Sequence, residues 1–282
     1  QQQAYEKTIN IIFNIFEGEK VLVERINIKG NTVTNEDVIR GELLTDEGDP
    51  YTVENKEKSV ANMKARNIFK DVKYEVIDGS ADNSKIVNIE VEERPTGEIS
   101  AGAGVGTSGG AVAFGIKENN WLGTGKSIQF ETDIDEESLT GVVSMSDPNY
   151  NFLGNSLNYF FKSESNDKPD QGYENSVVSA GLNTSFEQYK DLRFTIGSSF
   201  SYDDLRTLSS ASSSLKKQSG EFSELSLNYG LSHDKRDRSF MPTSGGITNF
   251  AQSFPFYADK SFISNTFSHS SYKTLTEDII GS

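Results

Sequence analysis

The chain lacks cysteine. It can therefore form neither disulfide bonds nor thiolate metal sites. This absence does not fix a cellular compartment, and it is compatible with a bacterial envelope.

Long hydrophobic runs are also missing. No stretch of 18 apolar residues occurs, so we expect no transmembrane helix. The first residues, QQQAYEKTIN, lack the charged-then-apolar layout of a signal peptide. The last residues, YKTLTEDIIGS, carry no terminal signature. We therefore expect the sequence to be a fragment that begins in mid-protein and lacks both ends.

Basic residues are too few for nucleic-acid binding. The formal net charge is −15, and acidic side chains outnumber basic ones both before and after Pro95. A surface that neutralises phosphates needs clustered Lys and Arg. No nucleic-acid partner is expected.

The residue composition of the sequence changes at Pro95. Before it, charged helix-compatible stretches alternate with short strand patterns, whereas Gly, Ser, Asn, Thr and aromatic residues dominate after it. The hydrophobic content of 34% is low for one thick globular core. Two structural parts are predicted.

The first part reads as strand, helix, helix, strand, strand. Thr34 stands three residues before Asp37, a capping-box spacing that predicts a helix start. A second helix is predicted over 52–67, with Val53, Val60 and Met63 on one stripe. Two helices on one face of a three-stranded sheet make a small α+β domain.

The second part reads as about ten strands with alternating faces. In KDLRFTIGSSFSYDD, for example, Phe194 and Ile196 alternate with Arg193 and Thr195. Such alternation fits a soluble sandwich with its apolar face inward. It equally fits a membrane barrel with its apolar face toward lipid.

The connections favour the barrel. Aromatic residues occur in the connections after every second strand, while the intervening connections include two long polar ones, SESNDKPDQGY and DDLRTLSSASSSLKKQSG. Aromatic rings are enriched where a membrane meets water. We therefore predict a set of membrane-interface aromatics: Trp121, Tyr150, Phe152, Tyr189 and Phe240. The acidic file of Glu131 and Asp133 would then face a wet lumen.

Several motifs resemble known families. VERINIKGNTVTNEDVIRGEL and NIFKDVKYEV resemble a POTRA domain, the periplasmic module of outer-membrane assembly factors. GAGVGTSGGAVAFGIKENNWLGTG, VSMSDPNYNFLGNSL and SHDKRDRSFMPTSGG resemble the opening strands of the BamA family barrel. The resemblance implies the end of a preceding POTRA domain at 1–18, a POTRA domain at 19–95 and the N-terminal part of an outer-membrane barrel at 96–282.

The family resemblance also implies a function. Family barrels have sixteen strands, of which about ten would be present here, without the later Arg-Gly-Phe/Tyr loop and the closing strand. The first strand, EISAGAGVG, would form one side of a lateral gate that pairs with client strands. The gate residues would be Ile99, Ser100, Ala101, Gly102, Ala103, Gly104 and Val105. The implied partners are unfolded outer-membrane proteins, accessory lipoproteins and outer-membrane lipid.

Charged residues interleave in the turn HDKRDR. Asp234, Arg236, Asp237 and Arg238 could pair with each other or with the POTRA domain, or could form an ordinary solvated turn. The resemblance places this turn on the periplasmic side.

Candidate catalytic and metal sites are weak. Ser232, His233 and Asp234 are neighbours on a strand and point to opposite faces, so they cannot form a triad. Asp133, Asp135, Glu136 and Glu137 lack the ligand spacing of a calcium loop. We expect no enzyme, cofactor or metal.

Three alternatives stay open at this point. A two-partner secretion or translocation-assembly transporter would share the POTRA-barrel layout. A soluble β-sandwich adhesin would bury the apolar faces, and an outer-membrane enzyme would need a Ser-His pair across neighbouring strands.

Overall fold

The computed structural model describes residues 20–106, 109–238, 241–259, 262–276 and 279–281. The predicted strand of a preceding domain at 1–18 lies outside the described residues, as does Phe240.

Residues 20–95 form an α+β unit with the predicted element order. Its elements are β1 (Leu22–Lys29), α1 (Glu36–Arg40), α2 (Val53–Ala65), β2 (Phe69–Asp78) and β3 (Ser84–Glu93). The sheet order is β1-β3-β2, in which β3 pairs parallel with β1 and antiparallel with β2.

A compact apolar core holds this unit together. It is built by residues from both helices and all three strands: Val23, Ile26, Ile39, Met63, Ile68, Phe69, Val72, Val87, Ile89 and Val91. Val60 packs against this core, but Val53 is exposed, so the predicted stripe is wrong at its first member. The helix begins at Val53, with Thr52 as its N-cap, and the first side chain lies beyond the packed core.

The predicted capping box at Thr34 is also wrong. Asn35 occupies the N-cap position of α1 and makes no side-chain cap hydrogen bond. Thr34 is buried instead, and its hydroxyl accepts a hydrogen bond from Asn120 in the second part of the chain. The Thr34 side chain therefore bonds to a residue distant in sequence and does not cap the helix, contrary to the prediction from local spacing.

Residues 97–281 contribute one antiparallel sheet, here called the large sheet. Its strands are β4 (Gly97–Gly106), β5 (Gly109–Glu118), β6 (Ser127–Asp135), β7 (Ser138–Asp147), β8 (Ser156–Lys168), β9 (Tyr173–Tyr189), β10 (Leu192–Thr207), β11 (Gly220–Asp234), β12 (Ser244–Ala258), β13 (Ser264–Thr276) and β14 (Ile279–Gly281). Each pairs with its neighbours in sequence, from β4 at one edge to β14 at the other. The eleventh strand, β14, was not expected, because three residues are too short to show alternation.

The large sheet keeps most of its apolar residues on one face, where many of them are exposed. Phe194 lies opposite Leu231, and Ile196 opposite Tyr229, so the predicted apolar files meet across β10 and β11. Among the described residues, every buried hydrophobic side chain except Ala211 belongs to the α+β unit. A sandwich would bury these files between two sheets. The single sheet with an exposed apolar face is therefore inconsistent with the soluble β-sandwich.

Polar side chains on the other face bond to one another. The Asn158 carboxamide accepts from Ser146 at 2.6 Å and donates to Asn183 at 3.0 Å, which links three strands. Asn228 Nδ2 donates to Ser199 Oγ at 2.9 Å. Hydrogen bonding satisfies these groups on the face opposite the apolar files.

The two connections predicted to be long loops are shorter than expected. β8 continues to Lys168 and β9 begins at Tyr173, and β10 continues to Thr207. The second connection holds a short helix, α3 (Ser213–Lys216). Polar residues here lie in strands because their backbones pair with neighbours, which composition does not reveal. None of the helices in the described part of the chain is long and apolar enough to cross a membrane.

Candidate functional site

The edge strand β4 contains all seven predicted gate residues. It pairs with β5 on one side, and it is the terminal strand of the large sheet. Ile99 and Val105 share one face and are 77% and 94% exposed. The other face carries Ser100, Gly102 and Gly104, and a Cβ atom built at either glycine would meet no atom within 4 Å.

The hold on β4 differs between its two ends. At the end near the α+β unit, the Asn119 side chain donates to Glu98 at 2.9 Å, and Thr96 hydrogen-bonds to Glu118. Farther along, Gly102 and Gly104 lie opposite Ala113 and Ala111. Small residues contribute little cross-strand packing. Side chains thus anchor β4 at one end, while its middle depends on backbone pairing.

Three of the predicted interface aromatics lie in connections at the end of the large sheet that faces the α+β unit. Trp121 begins a 3₁₀ turn between β5 and β6, and Tyr150 and Phe152 lie between β7 and β8. All three are partly or largely exposed. Phe152 has a φ of 59°, and its ring lies next to Gly41 of the α+β unit. Tyr189 is the last residue of β9 and is exposed.

The charges of the β11–β12 connection pair within that connection. Arg236 donates to the Asp234 carboxylate through Nε at 2.9 Å and Nη2 at 2.6 Å. Asp237 accepts from the Thr243 hydroxyl at 2.7 Å and from the Ser244 N–H at 3.1 Å. These hydrogen bonds lower the pKa of Asp237 to about 2. Arg238 Nε donates to the Met241 carbonyl at 2.7 Å.

The acidic hairpin after β6 is stabilised by protein groups. Asp135 accepts from the Ser138 hydroxyl at 2.6 Å and from the Glu137 N–H at 2.8 Å. Glu137 forms an ion pair with Lys168 at 2.6 Å. Across the described ranges, no group of three or more His, Cys, Asp or Glu side chains is placed to hold a metal ion.

The residues that join the two parts of the chain were not predicted from the sequence. The Asn35 N–H donates to the Gly123 carbonyl at 2.8 Å, and Arg66 Nη2 donates to the Gly125 carbonyl at 2.8 Å. Asn149 Nδ2 donates to the Gly41 carbonyl at 2.8 Å. The only signal in the sequence is the concentration of Asn and Gly in NNWLGTG and DPNYNFLGN, which predicts turns but no partner.

Comparison with known proteins supports both parts of the fold. The family model described as Omp85 superfamily domain matches residues 120–282, and the POTRA model, described as surface antigen variable number repeat, matches residues 21–94. A relative in Neisseria meningitidis serogroup B, outer membrane protein assembly factor BamA, is 30% identical over 158 residues, which is 55% of this chain and 20% of the relative. The protein of the same name in Neorickettsia risticii is 29% identical over 254 residues, covering 87% of this chain and 34% of the relative.

Solved structures share the fold. BamA from Haemophilus ducreyi lacking POTRA domains 1–3 aligns with a TM-score of 0.76 at 20% identity, over 93% of this chain and 53% of that one. CdiB from Acinetobacter baumannii aligns with a TM-score of 0.55 at 11% identity, over 93% of this chain and 51% of that one. The chain spans about a fifth to a third of the two curated relatives and about half of these structures.

The α+β unit is thus a POTRA domain on the periplasmic side, and the large sheet is an incomplete outer-membrane barrel. The Omp85 superfamily model matches residues 120–282, which is more than half of the chain, and the chain therefore belongs to the Omp85 superfamily.

Proposed function

We propose that this protein assembles β-barrel proteins and inserts them into the bacterial outer membrane. The proposal is supported by relatives in Neisseria meningitidis and Neorickettsia risticii that are named outer membrane protein assembly factor BamA. The fold adds a strand edge at which such an activity can take place.

The edge strand β4 is the observation that carries the proposal. When β4 parts from the closing strand of the complete barrel, its edge presents backbone N–H and C=O groups that can template another strand. A client strand that pairs with β4 satisfies its own backbone groups before it enters lipid, where an unpaired group costs several kcal/mol. The open space at Gly102 and Gly104 leaves the middle of β4 without side-chain packing that would resist exchange of partners.

The POTRA domain would deliver clients to this edge. We assign it residues 19–95 and the barrel residues 96–282, with 1–18 as the end of a preceding POTRA domain. The outer strand β2 of its sheet has an edge at which an extended segment could add, whereas segment 47–51 already bonds along the outer edge of β1. Unfolded outer-membrane proteins are the proposed clients, with accessory lipoproteins bound on the periplasmic side and outer-membrane lipid around the barrel. Strand exchange breaks no covalent bond, so this activity requires neither a catalytic residue nor a cofactor.

Valine at Gly102 and Gly104 tests the gate. In the full-length protein, the double substitution should strengthen the pairing of β4 with the closing strand of the barrel, since β-branched residues favour strands. Insertion of client barrels into liposomes should then slow, while the protein itself still folds. Gly141→Val is the matched control, because its Cβ also meets open space but β7 is paired on both sides.

Two further changes complete the test. Val105→Pro removes a backbone donor from β4 and should also slow client insertion. A cysteine cross-link between β4 and the closing strand should stop insertion. If the cross-linked protein inserted clients at the normal rate, β4 would be a glycine-rich seam rather than a gate.

A transporter of the two-partner secretion or translocation-assembly type is the second candidate. CdiB structures share the fold over nearly the whole chain, although with lower TM-scores than the BamA structure. Depletion of the protein in its host distinguishes the candidates. Loss of many different barrel proteins from the outer membrane supports the assembly factor, whereas loss of a single exported protein supports the transporter.

A further inference from the structure

One backbone contact between the POTRA domain and the barrel involves a glycine. The Gly123 carbonyl accepts from the Asn35 N–H, and Gly123 has a φ of 73°. A Cβ atom at this position would lie 2.0 Å from the Val33 carbonyl oxygen. No side chain fits there, so the two backbones can meet only at glycine.

Asn120 links the two domains from the same connection. Its Nδ2 donates to the Thr34 hydroxyl at 2.9 Å, and both residues are buried. Its Oδ1 accepts from the Gly125 N–H at 2.8 Å, which fixes the turn. One buried carboxamide therefore shapes the β5–β6 connection and binds the POTRA domain.

Arg66 joins the same connection to a second buried group. Besides its bond to the Gly125 carbonyl, its Nε lies 3.5 Å from Glu42 Oε1, and both side chains are only 10% exposed. Arg66 Nη1 is buried and makes no hydrogen bond. Asn149 of the β7–β8 connection donates to the Gly41 carbonyl and lies 3.4 Å from Glu42 Oε1. A small cavity of about 190 Å³ lies between these groups.

The loop that touches Gly123 is held by a carboxylate next to the barrel. Glu93, the last residue of β3, accepts from the Thr32 hydroxyl at 2.6 Å and from the N–H groups of Val33 at 3.0 Å and Thr34 at 2.6 Å. Only Arg94, Pro95 and Thr96 separate it from β4. The 32–34 loop, which is bound to Glu93, and the edge strand β4 therefore lie at the two ends of the short connection 94–96.

We infer that these contacts form a latch that locks the POTRA domain onto the β5–β6 and β7–β8 connections, so that the domain and the barrel move as one rigid body while the latch is closed. The latch consists of Thr34, Glu42 and Arg66 on the POTRA domain and of Asn120, Gly123, Gly125 and Asn149 on the barrel.

The chemistry of the latch makes it a two-state device. Separating the domains exposes Arg66 and Glu42 to water together, so neither charge is left buried alone. Both side chains belong to the POTRA domain and stay paired with each other, so opening costs Arg66 its hydrogen bond to the Gly125 carbonyl. Backbone contact at Gly123 adds a steric requirement, because the fit is lost as soon as the surfaces shift. Partial opening is thus disfavoured relative to the closed and fully open states.

Distance measurements between spin labels test the latch in the full-length protein in nanodiscs. With any native cysteines elsewhere in the protein replaced, labels at Glu57→Cys and Lys190→Cys occupy exposed positions on the POTRA domain and on the β9–β10 connection. The unsubstituted protein should give one narrow distance distribution. Gly123→Ala should broaden it or shift it by several ångströms.

Gly154→Ala is the matched control for Gly123→Ala. Gly154 lies in the β7–β8 connection with a φ of 76°, so alanine meets similar backbone strain, but its Cβ would touch nothing within 4 Å. This variant should keep the narrow distribution. Equal distributions for the two variants, or a broad distribution before any substitution, would overturn the latch.

A second pair of variants covers the case in which Gly123→Ala does not fold. Asn149→Asp keeps the Oδ1 acceptor that caps Gly154 N–H, removes the donor to Gly41 and places a carboxylate beside Glu42. It should open the latch and broaden the distribution. Asn151→Asp changes a side chain that accepts from the Leu153 N–H within its own connection, and it should not. If both aspartate variants behave alike, Asn149 is not part of a latch.

Discussion

The POTRA domain and the barrel use the same alternation of polar and apolar residues in opposite ways. In β3 of the POTRA domain, Val87, Ile89 and Val91 alternate with polar residues and are buried under the helices. In β11 of the barrel, Leu225, Leu227, Tyr229 and Leu231 alternate just as regularly, but no other described part of the chain covers their face.

This difference shows that alternation along a strand determines which residues share a face, but not whether protein or lipid covers that face. Burial of apolar area away from water stabilises either arrangement, whether protein or lipid covers it. The polar faces differ accordingly. On the POTRA sheet, Lys73 and Glu90 form an exposed ion pair at 3.5 Å, whereas side chains such as Asn158 and Asn183 bond within the polar face of the barrel.

Shortening a buried side chain in the POTRA core should have the largest effect on stability. Residues 20–94 expressed alone should unfold cooperatively, and Met63→Ala should lower the free energy of unfolding by about 2–5 kcal/mol, because it leaves a cavity in a fully buried site. Urea denaturation followed by circular dichroism measures this change. Lys64→Ala, at an exposed position of the same helix, should change stability by less than about 0.5 kcal/mol. A disordered spectrum for the unsubstituted segment would contradict the domain assignment.

Charge on the apolar face of the barrel should come next. Leu227 lies midway along β11, where an arginine turned to lipid costs about 2–4 kcal/mol. Asn228→Arg places the same charge on the polar face and should cost much less. Folding of the full-length protein into lipid vesicles, assayed by heat-modifiable gel mobility, compares the two. Equal effects, or the reverse order, would mean that the apolar face does not meet lipid.

Neutralising Glu93 should have a smaller, pH-dependent effect. Burial would raise the pKa of this carboxyl, but hydrogen bonds from Thr32, Thr34 and Val33 outweigh burial and lower it from 4.5 to about 2. Because the folded-state pKa is depressed, the stabilisation is complete above about pH 4.5 and is lost as pH falls toward 2. Glu93→Gln should therefore cost about 1–2 kcal/mol at pH 7.

The difference between wild type and Glu93→Gln should fade between pH 4.5 and pH 2. Urea unfolding of residues 20–94 across this range measures it. A constant difference at all pH values would show that the carboxylate charge is not what holds the 32–34 loop.

The exposed ion pairs of the POTRA sheet should matter least. Lys73→Ala breaks the pair with Glu90 on the open face, and we expect a change of less than about 0.5 kcal/mol in the unfolding of residues 20–94, because water screens such pairs. Raising the salt concentration should leave the small difference undetectable. A loss of more than about 1 kcal/mol would indicate that the open face is packed against something.

The sequence by itself determined the element order of the POTRA domain and the two faces of the barrel strands. Helical periodicity, turn residues and strict alternation act over a few residues, so α2 could be placed within 52–67, and Ile196 and Leu227 in apolar files, without any long-range information. Motif resemblance added the family, which the family models then confirmed. Local spacing failed at Thr34, whose hydroxyl pairs with Asn120, 86 residues away.

Only the tertiary structure decided what those elements touch. The pairing of Arg66 with the Gly125 carbonyl and the steric need for glycine at 123 depend on distances set by the whole fold. A hydrogen bond between residues far apart in sequence leaves no periodic trace in either segment. In the sequence, an asparagine that only forms a turn looks the same as one that also binds a neighbouring domain, because the second role depends on a surface that only the folded structure brings into contact.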